Sequence, residues 1–307
     1  MRIANAPVSW GVIEFEGMET RPVTWDQVLD EMAAAGYTGT ELGDWGFLPT
    51  DPAALAEALA ARNLAMLAAY VPVRLADPGA LAAGVEAVIR TARLVAAAAT
   101  DASSPGPFIV LADDNGSDPA RTWHAGRIGP GMMLEAAARA RFAAGVEEIA
   151  RRLHEATGMS LVFHHHSAGY VETPEEIDWL LDTTDPDLIG TVFDTGHYTF
   201  GTGGGGLPAH DAVTRYGSRI RHVHFKDCSR DVAAATRAEG LDYFTALRRG
   251  LFCELGQGEV DFPAVAERLR GIGYDGWVVV EQDVLPGMGT PLESALRNRD
   301  YLRSIGL

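Results

Sequence analysis

Four short apolar runs in the C-terminal half of the chain each end in side chains of the kinds that bind metals. The runs, each given with the polar residues that follow, are 161–163 before His164, His165 and His166; 191–193 before Asp194 and His197; 220–224 before Lys226 and Asp227; and 278–280 before Glu281 and Asp283. The C-terminal ends of parallel strands meet at the same face of a sheet or barrel. The series therefore predicts one polar, metal-binding site.

The spacing of the histidines indicates which of them share a face. Side chains two apart on a strand point the same way, so His222 and His224 lie together, and His164 lies with His166. His224 is nearer the strand end and is the preferred ligand of its pair. Glu281 follows three valines, and a carboxylate buried there needs a partner of opposite charge, which is either a metal ion or the basic side chain of a salt bridge.

Carboxylate and imidazole donors favour Mn²⁺, Co²⁺, Mg²⁺ or Zn²⁺ over the metals bound by thiolate sites. Such an ion stabilises negative charge on a sugar-like carbonyl and its neighbouring hydroxyl. Carboxylates beside the ion can move protons on the adjacent carbon. The pattern therefore predicts enediolate chemistry on a polyol.

Strand-like and helix-like segments alternate along the whole chain and can be counted as eight βα units. The predicted strands are 3–6, 39–42, 65–71, 108–111 and the four runs above. The predicted helices are 24–35, 52–62, 78–98, 132–157, 174–181, 207–216, 262–271 and 291–304.

Eight units without a composition break predict a single α/β domain over residues 1–307, a (β/α)₈ TIM barrel. The alternative, an open doubly wound sheet, usually has a glycine fingerprint after its first strand, where this chain has Val8-Ser9-Trp10-Gly11. Two long connections, 112–130 and 228–260, follow strands and are expected on the catalytic face.

Composition narrows the class of protein. The net charge of −17 disfavours nucleic acid as a partner. The two cysteines, Cys228 and Cys253, are expected to be free thiols in a reducing compartment. The N-terminus lacks the apolar run of a signal peptide, and no run approaches the roughly 20 apolar residues of a membrane span. We therefore expect a cytoplasmic protein with no membrane partner.

The ordered motifs resemble those of the xylose isomerase-like (sugar phosphate isomerase/epimerase) TIM barrels, and are most similar to the inosose dehydratases of myo-inositol catabolism. They run nearly the full length of the chain. The motifs are 6–11 (APVSWG), 36–43 (GYTGTELG), 164–166 (HHH), 171–173 (VET), 194–197 (DTGH), 224–227 (HFKD), 273–277 (GYDGW) and 280–283 (VEQD).

The resemblance implies metal ligands at Asp194, His224 and Glu281. The fourth ligand is either His164, where many relatives have a glutamate, or Glu172. Glu172 is favoured because its Val-Glu-Thr setting recurs in the histidine-rich subgroup and a second carboxylate suits proton transfer. The implied cofactor is a divalent metal, Mn²⁺ or Co²⁺ first, with Mg²⁺ and Zn²⁺ as alternatives.

The implied reaction is loss of water from 2-keto-myo-inositol (scyllo-inosose), with a metal-stabilised enediolate. Glu281 or Glu172 would be the base and His197 or His166 the acid, with Lys226 orienting hydroxyls. The expected substrate contacts are Trp10, Glu41, His164, Asp227 and Asp283.

Three other functions compete with the dehydratase. An isomerase or epimerase of an open-chain ketose needs the same metal, and only its product distinguishes it. An abasic-site endonuclease needs a basic DNA groove, which the net charge disfavours. A non-catalytic sugar-binding barrel would bind its ligand without metal. The partner is a small polyol or keto-inositol in the favoured case, and the sequence leaves a homodimer open.

Overall fold

A computed structural model describes residues 1–11, 23–99, 106–285 and 287–307. Eight parallel strands form a closed barrel in the order β1-β10-β7-β6-β5-β4-β3-β2. The predicted (β/α)₈ barrel is confirmed, and the doubly wound alternative is wrong because the sheet has no open edge. The barrel strands are β1 Arg2–Asn5, β2 Gly39–Glu41, β3 Ala65–Val73, β4 Phe108–Asp113, β5 Ser160–His164, β6 Ile189–Asp194, β7 Ile220–Phe225 and β10 Trp277–Val280. The remaining strands, β8 Asp227–Cys228 and β9 Phe252–Cys253, form a separate antiparallel pair.

Helices connect the strands in the described ranges. Their bounds are α1 Trp25–Ala35, α2 Pro52–Ala60, α3 Leu81–Ala98, α4 Pro119–His124, α5 Ala136–Thr157, α6 Pro174–Thr183, α7 Thr195–Gly201, α8 Ala209–Tyr216, α9 Arg230–Glu239, α10 Tyr243–Arg248, α11 Phe262–Gly271 and α12 Pro291–Ser304. None of these helices is both long and apolar enough to cross a membrane.

Two elements, the first strand and helix α5, have ends that differ from the predicted ones because of local hydrogen bonds or turns. The first strand ends at Asn5, one residue early, because the Asn5 side chain accepts the Ala6 N–H and Pro7 begins a 3₁₀ turn. Helix α5 begins at Ala136, because residues 130–132 form a separate 3₁₀ turn that ends in extended backbone at Met133.

Alternation along the strands separates two apolar layers. Val279 belongs to the cluster inside the barrel, whereas Val278 and Val280 belong to the larger cluster between strands and helices. Val223 also lies in the outer cluster. His222 and His224 therefore face the barrel interior, as their spacing predicts.

The long segments after β4 and β7 lie over the C-terminal ends of the strands. A third apolar cluster joins them there, with Ala125 from the first segment and Tyr243, Leu247 and Phe252 from the second. Cys228 is buried and Cys253 half-buried, and both are free thiols. These segments form the outer wall of the site.

Candidate metal centre and active site

Four side chains from four strand ends converge inside the mouth of the barrel. His164 ends β5, Asp194 ends β6, His224 lies on β7 and Glu281 follows β10. One potential ligand atom from each lies within 4.8 Å of those of the others. The Nδ1 atom of His224 is 3.2 Å from Oε1 of Glu281 and 3.7 Å from Oδ2 of Asp194. We call these four residues the metal-type cluster.

The hydrogen bonds of the metal-type cluster leave the inward-facing atoms unpaired. Oδ1 of Asp194 accepts the backbone N–H of His197 at 2.8 Å, while its buried Oδ2 has no hydrogen-bond partner among the described residues. Nδ1 of His224 also has none. Buried polar atoms without partners are costly, so the cluster fits a bound cation.

His164 is prepared to bind a cation through Nε2. Its Nδ1 lies 2.6 Å from the carbonyl oxygen of His165 and must donate there, which leaves the lone pair on Nε2. Burial, followed by the charge of His224, lowers the pKa of His164 to about 4. The imidazole is therefore neutral near pH 7, as a metal ligand must be.

Glu172, the favoured fourth ligand in the sequence, does not lie in the metal-type cluster. Its buried carboxylate accepts the N–H of Gly126 through Oε1 and that of Ala168 through Oε2, both at 2.7 Å. Both oxygens are therefore occupied in joining two loops. His164 lies in the cluster beside Asp194, His224 and Glu281, whereas Glu172 does not.

Replacing Glu172 should change the pH dependence of stability. Burial raises the pKa of Glu172 from 4.5 to about 7, although Arg121 and the two N–H groups lower it. The unfolded chain loses this proton first as pH rises, so the group's contribution to stability is full below pH 4.5 and falls by about 3 kcal/mol by pH 7. We expect Glu172→Gln to lack this decline in urea unfolding curves measured between pH 4 and 8. If the free energy of unfolding of the variant fell with pH in parallel with that of the parent protein, this prediction would be wrong.

Asp227, predicted as a substrate contact, anchors a loop through its side chain. Its Oδ2 accepts the N–H groups of Gly256 and Gly258, and its Oδ1 those of Cys228 and Val260, at 2.8 to 3.1 Å. The side chain is buried and absent from the cavity lining. A Cβ on Gly258 would lie 2.3 Å from Oδ1, so glycine is needed at this close approach.

Asp227→Asn should therefore affect stability more than catalysis. The amide nitrogen cannot accept, which leaves two buried or partly buried N–H groups without partners at about 1–3 kcal/mol each. We expect the free energy of unfolding to fall by about 2–6 kcal/mol in denaturant titrations, with KM little changed. A raised KM with unchanged stability would instead show that Asp227 contacts the substrate.

A cavity of about 310 Å³ opens beside the metal-type cluster. Its polar lining is Glu41, Asp44, Asn115, His164, His166, His197, Lys226, Glu281 and Asp283. Its other lining residues are Ala6, Pro7, Val8, Gly43, Tyr70, Tyr243, Phe244 and Leu247. A lining of both polar and apolar groups suits a polyol with exposed C–H faces.

Two neutral imidazoles of opposite hydrogen-bonding character lie side by side in this wall. The rings of His166 and His197 are 3.7 Å apart between centroids. Nδ1 of His197 accepts the N–H of Ser167, which places its proton on Nε2, whereas Nδ1 of His166 donates to the Ser167 carbonyl at 2.7 Å. Burial holds the pKa of both imidazoles well below the usual value. His197 can donate and His166 can accept.

The Lys226 ammonium lies near two carboxylates, those of Glu281 and Asp283. Nζ of Lys226 is 3.2 Å from Oε2 of Glu281 and 3.9 Å from Oδ1 of Asp283. Burial lowers the pKa of Lys226, but Asp283 and Glu281 outweigh it and raise the pKa overall. Oδ1 of Asp283 has no hydrogen-bond partner within the described ranges, so it is available to a ligand hydroxyl.

Trp10, predicted as a substrate contact, does not line the cavity. Trp10 is 2% exposed, donates from Nε1 to Glu31 at 2.6 Å, and belongs to the core. The apolar lining includes Tyr243, Phe244 and Leu247 of helix α10, within the segment 228–260 that was expected on the catalytic face, although these individual residues were not predicted. Tyr70 and Asn115, joined by a 2.6 Å hydrogen bond, were also missed.

Comparisons with known proteins agree with the fold. A family model described as xylose isomerase-like TIM barrel matches residues 29–305. The inosose dehydratase of Geobacillus kaustophilus (strain HTA426) is 32% identical over 303 residues, 98% of this chain and 93% of that protein. The inosose dehydratase of Lacticaseibacillus casei is 30% identical over 305 residues, 98% of this chain and 96% of that protein.

Solved structures show the same fold at low identity. The crystal structure of IOLI protein with a binding zinc atom has a TM-score of 0.72 at 15% identity, covering 99% of this chain and 98% of that one. The probable 3-DHS dehydratase AsbF of Bacillus anthracis has a TM-score of 0.73 at 14% identity, covering 99% of each chain.

Proposed function

The chain belongs to the xylose isomerase-like TIM barrel family, and from this membership and its full-length similarity to inosose dehydratases we propose that it dehydrates a keto-inositol. The substrate is 2-keto-myo-inositol (scyllo-inosose) and the product a trihydroxycyclohexane dione. The observation that carries the proposal is that the metal-type cluster, which includes the Glu281 carboxylate, lies beside a cavity that two neutral imidazoles also line.

We propose His164, Asp194, His224 and Glu281 as the ligands of a divalent cation, with Mn²⁺ or Co²⁺ favoured and Mg²⁺ or Zn²⁺ as alternatives. When bound, such an ion supplies Lewis-acid stabilisation of negative charge on a ketone oxygen and its neighbouring hydroxyl. The two unpaired buried atoms, Oδ2 of Asp194 and Nδ1 of His224, support this assignment.

The protein's own side chains move the protons. Glu281 takes the proton from the carbon next to the ketone, with Lys226 holding its Oε2 at 3.2 Å. The C–O bond at the following carbon breaks, and His197 donates its Nε2 proton so that the hydroxyl leaves as water. The resulting enol tautomerises to the dione. His166, as an acceptor, and Asp283 bind substrate hydroxyls.

Product mass distinguishes this reaction from that of a ketose isomerase or epimerase. The protein, supplied with Mn²⁺, is incubated with scyllo-inosose and separately with a panel of open-chain ketoses, and products are followed by mass spectrometry. We expect loss of one water from scyllo-inosose. Conversion of a ketose without change in mass, and no reaction of scyllo-inosose, would assign the protein to the isomerases.

A further inference from the structure

A carboxylate crosses the barrel interior to reach two histidines of β7. Glu41 ends β2, is 3% exposed, and belongs to a strand that β1 and β10 separate from β7. Its Oε1 lies 2.7 Å from Nε2 of His222 and 2.9 Å from Nε2 of His224. One oxygen therefore contacts a residue of the metal-type cluster and its neighbour on the same strand.

This contact determines which nitrogen of His224 faces the metal-type cluster. A carboxylate oxygen only accepts hydrogen bonds, so both Nε2 atoms must carry protons. In neutral His224 the lone pair then lies on Nδ1, the atom that is 3.2 Å from Oε1 of Glu281. Glu41 thus selects the tautomer in which His224 can bind a cation.

His222 is a polar ring in an apolar layer. It is 1% exposed, and its ring lies 5.8 Å from that of Phe108, a member of the cluster inside the barrel. A buried imidazole is costly there unless it is hydrogen-bonded. Its hydrogen bond to Glu41 satisfies it and gives the carboxylate a second donor, which holds Oε1 in place.

We propose that Glu41 and His222 are positioning residues for the cation site: Glu41 fixes the tautomer and orientation of His224, and His222 holds Glu41. The inference rests on the metal centre of the proposed function. Carboxylates that orient a ligating imidazole commonly contribute 10–100-fold to metal affinity. Glu41 therefore acts through His224, although it was predicted to contact the substrate.

Mn²⁺ affinity of the full-length, chelator-treated protein tests this role. By equilibrium dialysis, we expect Glu41→Ala to weaken Mn²⁺ binding about 10–100-fold and His222→Leu about 10-fold. His222→Gln should stay close to the parent protein, because its amide can still donate to Glu41. At saturating Mn²⁺, KM for scyllo-inosose should be little changed. Glu254→Gln is the control, since this buried carboxylate pairs with Arg297 outside the cavity.

Three results would overturn the proposal. One is unchanged Mn²⁺ affinity in folded Glu41→Ala and His222→Leu. Another is a raised KM with unchanged Mn²⁺ affinity, which would make Glu41 a substrate contact. The third is two ions per chain, one of them lost in His222→Leu, which would make Glu41, His222 and His224 a second cation site. Because dialysis needs no turnover, inactivity towards scyllo-inosose would count against the proposed function alone.

Discussion

Glu281→Gln is expected to lower kcat for dehydration of scyllo-inosose by about 10²–10⁴-fold, the usual contribution of a general base. The amide keeps the shape of the side chain and an oxygen for the cation, but it cannot take a proton. The variant should therefore still bind Mn²⁺, although more weakly. Steady-state kinetics at saturating Mn²⁺ would measure the effect separately from metal loss.

A second readout separates proton transfer from the later steps of the Glu281→Gln reaction. In deuterium oxide, unreacted scyllo-inosose reports removal of the proton next to the ketone, and the variant should exchange this proton for deuterium more slowly than the parent protein. The control is again Glu254→Gln, which should retain the parent kcat. A Glu281→Gln variant that keeps kcat within tenfold at full metal occupancy would assign the base to another residue.

Arg121→Met is expected to lower the free energy of unfolding by about 3–5 kcal/mol. Arg121 is 1% exposed, and its two Nη atoms each lie 2.8 Å from an oxygen of Glu176, which is also 1% exposed. Removing the guanidinium leaves the carboxylate buried without its countercharge. Its Nε also donates to the Gly169 carbonyl, so the loop after β5 loses a contact. Denaturant unfolding followed by circular dichroism measures the loss.

Combining Arg121→Met with Glu176→Leu tests whether the stability is lost because the Glu176 carboxylate is left buried and unpaired. Replacing both members of a buried ion pair with apolar groups is often close to neutral, so the double variant should recover part of the lost stability. Recovery is partial because Glu176 also completes the capping box that starts α6 at Thr173. A single variant that loses less than about 1 kcal/mol would show that the ion pair contributes little to stability.

The barrel and the strand-end residues of the site could be predicted because both follow from periodicity. Alternation along β7 places His222 and His224 on the inner face, and the closed order of eight strands brings Asp194 and Glu281 to the same mouth. His165 illustrates the same rule, since it points away from His164 and His166 and contacts Phe193 and Tyr198. These placements depend on local geometry that the sequence contains.

Residues in loops could not be placed in this way. Glu172 and Asp227 look like ligands in the sequence, yet backbone N–H groups from distant segments occupy their carboxylates. Those partners depend on how two loops fold over the barrel. The contact of Glu41 with β7 was missed for a related reason, because it crosses the lumen between strands that are not neighbours.

The most direct test of the dehydratase assignment is to titrate chelator-treated protein with Mn²⁺, and separately with Co²⁺, while measuring both bound metal and loss of water from scyllo-inosose. We expect no turnover without metal, and turnover that rises in proportion to occupancy and saturates at one ion per chain. Dehydration by the metal-free protein, or full occupancy without dehydration, would contradict the account.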